Sequence, residues 1–490
     1  MLQLIKVELK KIFHKKSIYV IWGLMTIFCL LNNILYKIDY DDQGNYKYLE
    51  QDNLKQEEKQ LEEELTKYNK DNQSEVTMYV TIKTKLDLIN LKKEFSDNSW
   101  QYHQLNDLLY DHLYQLNYYQ YIEKNEEKYI ETNKIYQFNL QKLKNDDWQY
   151  YLKIEKDNLT TTITELKNQL NLITDKLEKI KLENELKKLE FNLKIINYRL
   201  SNNIKKDNSY LNNALEKYQE NYKIVEHYQS SNQSRTHNEE LTYRKSLATM
   251  KINQYIIEHK QNINQENNLN YQLRTIIEDY EIFFVILILI LSSTILCNEF
   301  KEGTIKLLLI KPYSRGKILL SKYFTIVLVT EISILFLIAI QLLIGGVVFG
   351  LDSFDLPIVV YDFNKSKLIE YQVISYMLIR IIAKMPFLLL LMTISLGIAL
   401  VSNSSILALT IPLMIYMFNP SLENLMLEHQ LTSMKYLVNM NWDLQDYLFG
   451  NLNEAEFMKF QNSLIIIIIY FVCLWILTIQ IFKKKNIKNI

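Results

Sequence analysis

Glycine and proline are scarce in this chain, 9 and 5 residues in 490, and between Asn45 and Glu302 there are none at all, a run of 258 residues. These two residues break helices and build tight turns, so their absence argues against sheet joined by hairpins and for long helices. Cysteine is nearly absent too. Cys29, Cys297 and Cys473 each lie in an apolar run, so no disulfide framework can staple the polar middle of the chain. Net charge is missing as well: 56 Lys and Arg balance 56 Asp and Glu, leaving no overall field to favour a nucleic-acid partner. None of the glycines stands in a G-x-x-x-x-G-K-[ST] phosphate loop, so a nucleotide site in this chain is not expected.

What is present falls into two physical classes. Charges crowd the middle, and long apolar runs lie towards the ends. A hydrocarbon core about 30 Å thick needs roughly 20 mostly apolar residues per helix. Six stretches qualify: 18–36, 282–297, the 324–349 part of 323–482, then 373–401, 406–418 and 464–482. The N-terminal stretch has a basic start but no small-residue cleavage site, and it is read as a retained anchor. Basic residues before the first stretch (Lys6, Lys10, Lys11, Lys15, Lys16), between the second and third (Lys301 to Lys322) and in the tail 483–490 place all three segments in the cytoplasm. Residues 37–281 and 419–462 then fall outside, the latter with six acidic residues against Lys435 and Lys459.

The expected fold class is therefore all-α: six transmembrane helices plus a long extracellular helical, coiled-coil domain. Apolar residues at 3-4 spacing, Ile163 to Ile180 and then Leu182 to Leu200 in a shifted phase, support helix pairing. Breaks are expected at the polar clusters 70–74, 96–99, 145–148, 201–209 and 229–238. An unbroken arm of about 80 to 100 residues would reach about 120 to 150 Å, an upper bound.

The segment 298–322 has its own pattern: Glu299, Gly303, Thr304, Leu307, Leu308, Pro312, Ser314, Arg315, Ile318, Leu319 and Lys322. A Glu and Thr near a helix start, with Pro and Gly to stop it, suggest a short amphipathic helix. In this order the residues resemble the first cytoplasmic loop of type-2 ABC exporter permeases. The resemblance implies that the loop is a coupling helix docking on a separate ABC ATPase, which would bind the ATP and Mg. It also implies a second permease copy or related subunit, and residues 1–17 as an elbow helix lying against membrane lipid. An insertion of this size between the first two spans departs from the family, and suggests an extracellular peptide or envelope protein as a further partner. Glu331, Arg380 and Lys384, charges inside the apolar runs, are either pathway-lining residues or ion pairs within the bundle. No residue is assigned a catalytic or metal-binding role. Force transmission to an extracellular partner, or an envelope scaffold resembling the phage-infection-protein family, stand as alternatives to export.

Overall fold

The computed structural model describes residues 1–39, 50–173, 175–230, 234–305, 313–429, 431–449 and 458–485. The chain divides into two compact units, Asp39–Asn262 and the combination of Met1–Ile38 with Ile263–Ile490. Helices dominate both.

In the second of these units, helix α1 (Leu2–Phe13) precedes six helices long and apolar enough to cross a membrane: Lys16–Ile38, Leu269–Lys301, Arg315–Phe349, Val373–Ser402, Ser405–Glu428 and Phe460–Lys484. The chain is read as a membrane protein on this basis. Each expected span lies within one of these helices, and several helices run well past the apolar window. Two thirds of the most apolar stretch of the second span is buried (67%), and 56% of the fourth, against 11% for the fifth and sixth, so the second and fourth form the centre. Leu287, Leu289, Leu296, Leu390, Leu391 and Leu396 make the core between them.

Helix contacts within this unit use small and amide residues. Asn33 and Gln341 exchange hydrogen bonds, Nδ2 to Oε1 at 3.0 Å and Nε2 to Oδ1 at 2.9 Å, while Cys29 Sγ donates to the same Gln341 oxygen at 3.0 Å. Gly345 permits this approach, since a Cβ there would lie 2.8 Å from Leu269 Cδ1 and 2.9 Å from Gln341 Nε2.

Two features differ from an all-helical expectation with a domain boundary at 281. Strands Ile358–Asp362 (β1) and Lys367–Tyr371 (β2) form an antiparallel hairpin between the third and fourth spans. Its turn closes where Asp362 Oδ1 accepts the backbone N–H groups of Asn364 and Lys365 at 2.9 and 3.1 Å, a local alternative to helix. The second span also begins earlier than its apolar run. Leu269–Asp279 (α11) precedes Glu281–Lys301 (α12), and Leu269 and Leu273 pack with Ile358, Val373 and Met377.

The unit Asp39–Asn262 holds eight helices among its described residues: Glu50–Leu65 (α3), Val76–Lys92 (α4), Trp100–Tyr121 (α5), Glu126–Lys144 (α6), Trp148–Leu172 (α7), Lys176–Asn202 (α8), Tyr210–Ser230 (α9) and His237–His259 (α10). All five expected breaks occur, with two more at 122–125 and 173–175. The extra breaks correct the arm-length estimate: the longest helix, α8, has 27 residues and spans about 40 Å. Neighbours pair instead, α4 with α5, α5 with α6, α7 with α8 and α9 with α10. Trp100, Leu105, Leu109 and Leu113 of α5 share a core with Leu143, Trp148 and Leu152.

Without glycine, helix ends here take other residues into the left-handed region. Lys124, Asp146, Asn203 and Lys260 have φ of 51°, 59°, 57° and 52°, each just past the end of a helix. The polar breaks thus end helices as Gly would, at a higher conformational cost.

Candidate functional site

Helix α1 buries Leu4, Glu8 and Ile12, a stripe at four-residue spacing with a carboxylate in its middle. A buried carboxylate requires a cation. The third span supplies it. Lys322, fully buried, places Nζ 3.1 Å from Glu8 Oε1 and 2.8 Å from Glu299 Oε1 at the end of the second span. Lys11 of α1 reaches the same Glu299 oxygen at 3.0 Å and lies 3.4 Å from Glu8. Two acids and two bases thus close a neutral cluster joining three helices. Glu299 Oε2 is buried and has no hydrogen-bond partner among the described residues.

Lys11, within this cluster, and Lys15, beside it, respond in opposite directions. Burial would pull Lys11 down, but its hydrogen bond to Glu299 and the charges of Glu299 and Glu8 outweigh it, holding the ammonium above its ordinary range. Lys15 is pushed below its ordinary value, first by burial and then by repulsion from Lys322.

The remaining residues of the 298–322 pattern have definite local tasks. Gly303, at φ +65°, ends the second span in the left-handed region. Thr304 Oγ1 lies 3.5 Å from the Glu299 carbonyl oxygen, which accepts from it. Ser314 caps the third span, its Oγ accepting Lys317 N–H at 3.4 Å. Arg315 donates through Nη1 to the carbonyls of Phe482, Lys483 and Lys485 at 3.3, 2.8 and 3.0 Å, so it satisfies the open C-terminal carbonyls of the sixth span. Ile318 and Leu319 are buried. Leu307, Leu308 and Pro312 lie outside the described residues, as does the expected amphipathic helix.

Lys485 extends the same end of the bundle. It donates to Leu400 O and Asn403 Oδ1 at the end of the fourth span, and its Nζ sits 4.6 Å above the Phe300 ring. Residues 302–305, 313–314 and 403–404, helix α1 and residue 485 therefore lie at one end of the bundle.

At the other end, Arg380 and Lys384 share a face of the fourth span, as their spacing predicts, and both are buried against acids. Arg380 pairs with Glu278 and donates through Nε to Gln445 Oε1 at 2.8 Å. Lys384 meets Asp443 at 2.5 Å and Glu281 at 2.6 Å. The pairs tie the fourth span to the start of the second and to the segment 432–447. Glu331 is not part of either cluster: it is exposed on the third span.

Sequence reasoning singled out Glu299 and Lys322 but read Lys11 only as a basic flanking residue and gave Glu8, Glu278, Glu281 and Asp443 no role as their partners or those of Arg380 and Lys384. The available signal for Glu8 was an acid in the apolar stripe of an amphipathic helix.

A family model described as "Protein of unknown function (DUF2705)" matches residues 241–488. The "Uncharacterized protein YhcI" of Bacillus subtilis (strain 168) is 28% identical over 202 residues, 41% of this chain and 64% of that protein. The matched region thus spans slightly under two thirds of that relative's length. No solved structure matches the chain.

Proposed function

We propose that this chain, which belongs to the DUF2705 family of proteins of unknown function, is the membrane permease subunit of an ATP-driven exporter worked by a separate ATPase. The observation that carries this reading is the ion pair between Glu299 and Lys322, the outer members of the 298–322 pattern, closed by Glu8 and Lys11. Gly303, Ser314 and Arg315 hold the ends of the adjoining helices, so force applied between residues 304 and 313 would pass directly into the second, third and sixth spans. The cluster end of the bundle faces the cytoplasm in this reading, in keeping with the lysines along α1, the loop and the tail. Residues 306–312 would meet the ATPase, which binds ATP and Mg.

The exported substrate in this reading is a peptide or an amphipathic, lipidic molecule. Arg380 and Lys384 do not support an open anionic pathway, because each is buried against acids. A second reading, force transmission or scaffolding towards an extracellular partner, is favoured by one observation: Asp39–Asn262 is compact in its own right, with its own apolar cores.

Affinity purification of the full chain from its native membranes tests the proposal. An ATPase with a P-loop should copurify, and Leu308→Asp should remove it while the chain stays inserted. Retention of the ATPase by that variant refutes docking at this loop. ATP hydrolysis in liposomes that rises on adding the exported peptide supports transport; hydrolysis that instead responds only to an extracellular protein supports the second reading.

A further inference from the structure

Helix α5 (Trp100–Tyr121) has no Lys or Arg in its 22 residues, in a chain that holds 56 of them. Its two acids, Asp107 and Asp111, are exposed, and neither has a hydrogen-bond or ion-pair partner among the described residues. Positions 100, 104, 107 and 111 follow the spacing of a single helical face. Beside that face, between α5 and the first turns of α7, lies a cavity of about 310 Å³ that opens to solvent. Trp100, Leu108, Trp148, Tyr151 and Leu152 wall it. The polar atoms of two of these rings are engaged elsewhere: Trp100 Nε1 donates to Asp146 Oδ1 at 2.5 Å, and Tyr151 OH to the Asn139 carbonyl at 2.7 Å. They therefore offer the cavity their apolar surfaces. The charged residues at its mouth are Asp107, Glu155 and Lys206, and the last two pair with each other at 3.2 Å. Asp107 is left uncompensated.

We infer that this cavity binds a cationic amphipathic peptide: an apolar side chain enters between Trp100, Trp148 and Tyr151 while a neighbouring Lys or Arg of the peptide meets Asp107 and Asp111. Charge selects the sign of the ligand. The cations of α7 do not answer these acids, since Lys153 lies across that helix from the cavity wall and Lys156 borders a separate depression with Lys194 and Tyr198. Size and surroundings select a peptide over a small molecule. The volume is at the bottom of the roughly 300 to 1,000 Å³ of small-ligand sites, enough for one large side chain. The apolar surface then continues outside it. Ile154, a lining residue 42% exposed, is one turn from Tyr150, whose ring meets that of Phe138, 47% exposed, edge-on at 5.8 Å. A pocket opening onto an exposed apolar strip suits an extended ligand with one anchoring side chain. Lys142, beside those two rings, is paired with Asp147 at 2.8 Å and adds no free charge. The binding rests on the structure of Asp39–Asn262 alone; only the identification of this peptide with the exported one rests on the export reading.

Fluorescence anisotropy with the full chain in nanodiscs of zwitterionic phosphatidylcholine tests it. The probe is a short dye-labelled peptide with one Trp among Lys and Ser; matched peptides carry Ala for the Trp, or Glu for the Lys. The Trp–Lys peptide is expected to bind, and each matched peptide to bind roughly tenfold more weakly or less. Asp107→Asn with Asp111→Asn, both at exposed positions, should weaken binding roughly tenfold at low salt, and the difference should close at high salt. Ile154→Asp should weaken it at any salt. Asp157→Asn, exposed on α7 away from the cavity, should leave it unchanged. Equal binding of the Ala or Glu peptide, or an affinity untouched by the two Asn substitutions, overturns the inference, since partition into lipid would then account for the signal. Complete displacement of the peptide by equimolar tryptamine puts a small cation in the site and overturns the peptide as occupant. Loss of the copurifying ATPase with peptide binding intact refutes only the export reading.

Discussion

Lys322 Nζ, fully buried, lies 2.8 Å from Glu299 Oε1 across the base of the loop between the second and third spans. The two residues are 23 positions apart in the chain, and a third group, Glu8, meets the same ammonium at 3.1 Å.

Removing that ammonium should therefore be costly. Lys322→Met leaves two buried carboxylates with only the half-exposed Lys11, and the expected loss is on the order of 3 to 5 kcal/mol. Adding Glu299→Gln to Lys322→Met should recover part of it, because one uncompensated charge disappears. Thermal unfolding in detergent, compared across wild type, single and double variants, checks both directions.

Gly345 should tolerate no side chain. A Cβ would press on Leu269 and on the Asn33–Gln341 amide pair, so Gly345→Ala is expected to cost about 1 to 3 kcal/mol. Gly23 has nothing within 4 Å of a Cβ, and Gly23→Ala should be neutral or slightly stabilising. The contrast in melting temperature between the two variants is the measurement.

Asp146 links three turns of the Asp39–Asn262 unit, accepting Trp100 Nε1–H at 2.5 Å and Lys205 Nζ–H at 2.6 Å. Partial burial works against its charge, but the Lys205 and Trp100 bonds outweigh it and hold the carboxyl below its ordinary range. A depressed carboxyl stabilises the fold above its unfolded value, about 4, and that contribution is lost as pH falls through the lower folded value. Asp146→Asn, which suits the left-handed φ of 59°, should melt below wild type at pH 7, and the gap should close as pH drops below about 4.

Lys260 ends α10 at φ 52°, where glycine would be unstrained. Lys260→Gly should stabilise the chain by about 0.5 to 1 kcal/mol once the greater freedom of glycine in the unfolded chain is set against the relieved strain. A higher melting temperature confirms it; a lower one shows that the lysine side chain contributes more than its backbone costs.

Lys384→Met should loosen the segment 432–447. It leaves Glu281 and Asp443 without their common cation, and faster proteolysis within that segment, with the rest of the digestion pattern unchanged, is the expected result.

Local rules made much of the architecture legible. The apolar runs located six helices, and Asn145 to Trp148 or Ser201 to Ser209 marked real ends, because capping and turn preferences act within a few residues. The break at 122–125 was less legible: Ile122, Glu123 and Lys124 carry no strong breaking preference, and the one local signal is Asn125, whose side chain accepts Lys128 N–H and caps α6. The break at 173–175 was hidden differently, since Ile173 continues the 3-4 spacing of its own seam.

Sequence alone thus determined the six long apolar helices, the helical character of the middle and the order Glu299, Gly303, Ser314, Arg315, Lys322, because hydrophobic length and helix-end chemistry are short-range. Tertiary structure alone decided what those residues touch. Arg315 meets carbonyls at 482, 483 and 485, Lys322 meets Glu8, and Arg380 and Lys384 meet acids that are remote along the chain. A charge carries no sequence record of its partner; only the packing of helices against one another brings the two within the few ångströms at which burial makes pairing obligatory.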